Sequence, residues 1–282
     1  MKAVLDYATA QRKAIHDNLQ AVRDGNPDAI HDMRVAIRRL RSTLRTFRGL
    51  WDRPRSESLR DELKWLAIRL GKVRDGQVMS AALAGAVHRE PPELVAGPVA
   101  ARLQRRLAGE TLPAQDDLRG TLDSARFRAL LTDLDALLLR RPNQRPRRWV
   151  TKRAGKALTR AERLFAGAGR ARPEKRDAAL HEARKAYKRG RYAVEVFKPE
   201  RKPARRLAKR LGRLQDVLGE HHDTVVLREL LREEGMRAYG EGENAFTYGL
   251  LHARQHEEAN RLLRKLPKAR QAVRKSAKTA WN

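Results

Sequence analysis

In 282 residues the chain carries 63 lysines and arginines against 34 aspartates and glutamates, a formal net charge of +29. A balance this basic points to polyanionic partners: nucleic acid, an anionic membrane surface or a phosphate polymer. The absence of cysteine excludes disulfides, thiolate metal sites and a cysteine nucleophile, and 41% hydrophobic residues suffice for a packed core.

Helix signals run the length of the chain and strand signals are nearly absent. Residues 2–23 predict a first helix, stopped by Gly25. They contain Asp6, Arg12, Lys13, Asp17 and Arg23 and no apolar h-region, so no secretory signal is expected. No stretch approaches 18 uncharged apolar residues, so no span is expected, and a cytoplasmic setting follows. Asn26-Pro27-Asp28 supplies a cap, a first-turn proline and an acid for a second helix to about Arg48. Residues 56–70 predict a third, with Leu59, Leu63, Leu66 and Leu70 on one face and Gly71 at its end. Asp75 predicts the cap of a fourth, ended near His88 by Pro91-Pro92. Residues 93–108 and 124–140 predict a fifth and sixth, and the basic, proline-punctuated 140–148 is the expected boundary between two halves, 1–142 and 147–282. The second half predicts helices over 148–166, 174–197, 203–218, from Asp223 to about Glu234, and 243–265, with a fraying tail after Pro267.

The second helix is the informative one. His31, Arg34, Arg38, Arg41 and Arg45 recur at helical spacing on one face. With His31 at zero this basic series covers roughly 280–360° of a helical wheel, and Ile30, Met33, Ile37, Leu40, Leu44 and Phe47 cover roughly 160–260°. The two stripes abut, so the cations are expected along a seam between packed helices, not on a face opposite the core. The pattern returns as His181, Arg184, Lys188 and Arg191, with His181 standing 150 residues after His31 (181 − 31). Glu195 replaces Arg45 in this copy and Gly190 replaces Leu40, so the second seam is expected to be weaker or differently packed. A second landmark is also doubled: Leu70-Gly71-x-x-Arg74-Asp75 matches Leu218-Gly219-x-x-His222-Asp223. Two landmarks in the same order and nearly the same spacing predict an all-α chain of two pseudo-two-fold-related halves, their cationic seams facing a shared groove.

These motifs closely resemble the conserved histidine α-helical domain, or CHAD, family: His31-x-x-Arg34-x-x-x-Arg38-Arg39-x-Arg41, the partial copy His181-x-x-Arg184-x-x-x-Lys188-Arg189-x-Arg191-Tyr192, and the two Leu-Gly-x-x-[Arg/His]-Asp stretches. The resemblance spans nearly the whole chain. It implies two four-helix bundles around a basic central groove or pore and binding of inorganic polyphosphate, and a module of that kind is expected to tether itself or partners to polyphosphate granules. Many relatives also carry a triphosphate-processing domain marked by Glu-x-Glu-x-Lys. The nearest match here, Glu241-Gly242-Glu243-Asn244-Ala245, lacks the lysine, so the chain reads as the binding module alone.

Arginine suits such a polymer because its rigid fork meets two phosphate oxygens at once and stays charged when partly desolvated. Successive helical turns also set cations about 5.4 Å apart. The residues assigned to polyphosphate are His31, Arg34, Arg38, Arg39, Arg41, Arg45 and Arg74 in the first half. In the second they are His181, Arg184, Lys185, Lys188, Arg189, Arg191 and Tyr192, with Arg206, Lys209, Arg210 and Arg213 beside the leucine stripe of the following helix. His31 and His181 have two open roles, donating to phosphate or orienting the seam by bonding a neighbouring helix. Metal-type spacings occur at His221-His222-Asp223 and at His252, His256 and Glu257, but no metal or other cofactor is expected amid this positive charge. Two other functions compete. One is a nonspecific nucleic-acid-backbone binder: 5% aromatics argue against a single-strand platform but leave duplex backbone binding open. A metal-dependent phosphohydrolase lacks clustered carboxylates and a phosphate loop, so an enzyme is not expected.

Overall fold

The computed structural model describes residues 1–281, and among them the regular structure is helical throughout, with no strand. The first expected helix is divided: α1 (Lys2–Asp17) and α2 (Leu19–Arg23) meet at Asn18, whose side chain donates to the Ala14 carbonyl at 2.8 Å. Gly25, at φ +78°, makes the turn that follows. The Asn26 side chain then accepts from the amides of Asp28 (2.9 Å) and Ala29 (3.0 Å) and opens α3 (Pro27–Thr46). Its apolar stripe, Ile30, Met33, Ile37, Leu40, Leu44 and Phe47, is at most 1% exposed. A 3-10 turn (Arg48–Leu50) leads to α4.

The next element departs from expectation. The third and fourth predicted helices are one, α4 (Arg53–His88), and Asp75 caps nothing. The second half repeats the correction, because α9 (Lys202–Gly240) runs through Gly219 and Asp223 without a break. Between them lie α5 (Val99–Asp123), α6 (Ala125–Leu139), α7 (Arg147–Gly169) and α8 (Pro173–Glu195). The stretch 93–98, expected within the fifth helix, holds a 3-10 turn at Pro92–Leu94, and α5 continues through Pro113 well past residue 108. The last helix, α10 (Phe246–Thr279), likewise continues through Pro267. Its tail docks instead of fraying: Ala280 is fully buried, and Trp281 meets Phe197 edge-on with ring centroids 5.4 Å apart.

Packing follows the same order in both halves. α3 packs on α1 and α4, and α8 packs on α7 and α9; α4 lies along α5 and α9 along α10; α3 and α8 touch each other. One apolar core takes residues from α1 to the end of α10 and is continuous across the 140–146 linker. A second, smaller core joins the far ends of the long helices: Leu83 and Ala86 of α4, Leu103 and Leu107 of α5, Leu227 and Leu231 of α9, and Tyr248 and Leu251 of α10. Along both α4 and α9, Arg74-Asp75 and His222-Asp223 fall between these two cores.

Candidate functional site

The doubled landmarks meet within each half. In the first, Arg34 of α3 forms a forked ion pair with Asp75 of α4, Nη1 to Oδ1 at 2.6 Å and Nη2 to Oδ2 at 3.2 Å. It lies over Gly71, where a Cβ would already touch Nη2 at 3.6 Å, so any longer side chain would push the guanidinium off the helix. In the second half Arg184 lies over Gly219 in the same way, with a Cβ 3.8 Å from Nη2. His181 and His222 approach Nδ1 to Nδ1 at 3.3 Å. The matching pair in the first half is His31 beside Arg74, whose charge disfavours the imidazolium. Thus the Leu-Gly-x-x-[Arg/His]-Asp stretch is a helix surface shaped for the His-x-x-Arg stretch that packs on it, not a helix end.

The two basic series also converge across the halves. Arg34 and Arg38 of α3 and Arg184 and Lys188 of α8 lie within electrostatic reach of one another. Burial, then repulsion from Arg184, Arg38 and Arg34, pulls the Lys188 ammonium down to about 7. Burial and the same neighbours lower Arg184, with Asp223 opposing. His222 falls to about 4 through burial and the nearby charges of Arg184, His181 and Lys188. His31 and His181 are held below the ordinary imidazole range, chiefly by burial and then by adjacent cations. No protein acceptor reaches Nε of Arg38, Arg74 or Arg184, and among the described residues these three and Lys188 form no ion pair. Several arginines elsewhere are paired, as Arg12 is with Asp135 and Arg126 with Glu62. Cations therefore crowd here without enough carboxylate, an arrangement that a phosphate oxygen would relieve.

Other sequence-assigned residues lie apart from this cluster. Glu195 is buried, 4% exposed, and accepts from Tyr7 Oη (2.7 Å), Arg39 Nε (3.1 Å) and Arg191 Nε (2.8 Å), so both arginines are committed to a contact joining α1, α3 and α8. Tyr192 is buried beneath Arg39, 5.9 Å from the guanidinium carbon to the ring centre. Lys185 is exposed and paired with Glu182. Arg206, Lys209, Arg210 and Arg213 are exposed. On a wheel they fall roughly 120–180° from His222, Arg210 by about 120°, so they occupy the other flank of α9. Arg41, Arg45 and Arg189 gather in a separate group with Arg60 of α4 and Arg160 of α7. Arg60 and Arg160 lie outside both copies of the motif, and nothing in the sequence marked them. Gly190, the other departure in the second copy, has a packing cause: a Cβ there would stand 2.8 Å from Leu158 Cδ2.

Known proteins agree with this architecture. The chain superposes with a TM-score of 0.74 on PptA from Streptomyces chartreusis, at 23% identity over 96% of this chain and 98% of that one. It superposes at 0.72 on the CHAD domain of the plant Ricinus communis, at 27% identity over 99% and 91% of the two chains. It is 33% identical over 269 residues to the uncharacterized proteins MT2285 and Rv2226 of Mycobacterium tuberculosis, and its matched part spans about half of their length, 51%. The CHAD domain model matches residues 6–232, which include both copies of the basic motif and most of the helices that hold them, so the chain belongs to the CHAD domain family.

Proposed function

We propose that this chain binds inorganic polyphosphate, as a module without catalytic chemistry of its own, through the cations that α3 and α8 bring together. The observation that carries this reading is the cluster of Arg38, Arg74, Arg184 and Lys188, none of them ion-paired and only partly offset by Asp223 and Asp75, with Arg34, His31 and His181 at its edge. A flexible anion with one charge per repeating unit can thread past such a cluster and neutralise each cation, whereas a single carboxylate could not. Within the seams base stacking is poorly served, because Tyr187 and Tyr192 are buried. Polyphosphate-rich granules are the cellular setting to which this reading points.

The test compares long-chain polyphosphate with single- and double-stranded DNA, at matched phosphate concentration and near-physiological salt. Orthophosphate release is followed in parallel. Polyphosphate is expected to bind more tightly than either DNA and to survive intact. DNA binding as tightly as polyphosphate would sink the reading, and magnesium-dependent orthophosphate release would make the chain a hydrolase.

A further inference from the structure

The two copies of the basic series differ in charge at one position, where Glu195 stands in place of Arg45. Glu195 gathers Tyr7, Arg39 and Arg191 around a protein-supplied carboxylate. At the matching place in the first copy the carboxylate is missing and the cations remain. Arg45 of α3, Arg189 of α8 and Arg160 of α7 lie within electrostatic reach of one another. Arg60 of α4 and Arg48 stand beside Arg45, and Arg41 stands beside Arg60. The acids that approach are Asp61, near Arg41, and Glu182, near Arg189. Glu182 is already engaged by Lys185. Among the described residues, Arg41, Arg45, Arg60, Arg160 and Arg189 make no ion pair, and the Arg41 Nε is buried without an acceptor. Leu158 sits close against Gly190 and so seats α7 on α8 beside this group.

We propose that Arg41, Arg45, Arg60, Arg160 and Arg189 form a second phosphate-binding station, and that one polyphosphate chain runs to it from the central cluster. This rests on the polyphosphate reading and adds a length requirement. Arg38 and Arg45 are two helical turns apart, roughly 10 Å along α3. A short oligophosphate fills the central cluster alone, and a long chain engages both.

Calorimetric titration of the full chain with tripolyphosphate and with long-chain polyphosphate tests it. Arg45→Gln with Arg160→Gln is expected to weaken long-chain binding by about tenfold, the loss of at least one charge-assisted contact, and to leave tripolyphosphate unchanged. Arg38→Gln with Lys188→Gln should weaken both ligands. Equal losses for the two ligands in the Arg45/Arg160 variant, or none for the long chain, would overturn the second station. A wild-type chain that binds neither ligand would overturn the polyphosphate reading itself. Arg45→Glu gives an independent readout, because it restores the carboxylate that Glu195 supplies in the other copy. Its melting temperature is expected to hold or rise while the long-chain advantage disappears, and a fall in melting temperature with that advantage retained would refute the proposal.

Discussion

Lys188 shows how the site's charge crowding becomes a measurable property. Its pKa in the folded chain, about 7, lies below the ordinary lysine value of 10.5. The folded state therefore resists protonating it, and its contribution to stability rises with pH between about 7 and 10.5 and is constant below 7. A bound phosphate reverses the balance and favours the ammonium, so binding takes up a proton. Affinity for polyphosphate is expected to fall as pH rises above 7, with proton uptake visible as a buffer-dependent heat of binding. Lys188→Arg should flatten that limb, and Lys188→Gln should cost about tenfold in affinity at pH 7. His31 offers a separate test of role. His31→Ala is expected to weaken binding with little loss of helicity, and unchanged affinity with a large drop in melting temperature would assign it to orientation alone.

Between helices, the two departures of the second motif set measurable stabilities. Glu195 is a buried acid with three donors, and Glu195→Ala strands Arg39 and Arg191. A loss of about 1–3 kcal/mol is expected in chemical denaturation, because the half-buried Arg39 and Arg191 lose their acceptor but keep some contact with water. Gly190→Leu, which copies the first half, would press on Leu158 and should cost about 1–3 kcal/mol. Much of the fold was legible: the Asn26-Pro27 start, the leucine stripes and the basic stripe beside the core all appear as read. The continuity of α4 and α9 was not. Gly71, Asp75, Gly219 and Asp223 carry the local chemistry of helix ends, but a mid-helix glycine costs only about 1 kcal/mol. Packing of Leu70 and Val73 on one side and Leu83 on the other outweighs that cost. The seam was legible because its residues are periodic. The second group of arginines was not, because Arg60 and Arg160 reach it from helices with no pattern in common.

Over the whole molecule the net charge of +29 sets the scale. Polyphosphate binding should weaken steeply with salt as counterions are released. Each cation removed from the central cluster should reduce the log–log salt slope by roughly one, whereas removing Arg206 or Arg210 from the far flank of α9 should leave it nearly unchanged. The paired far ends of the long helices have a mechanical consequence. α4 and α9 are beams supported at both ends, by the main core on one side of the cations and by the small apolar clasp on the other. The charged mid-span cannot splay to relieve its repulsion, so the clasp keeps the site under electrostatic load. A bound polyanion removes that load, and by thermodynamic reciprocity it must tighten the clasp. Leu231→Ala, a change remote from the ligand, is then expected to weaken polyphosphate binding, and the ligand should slow amide exchange around Leu83 and Leu231. If neither effect is seen, the two ends of the beams act independently.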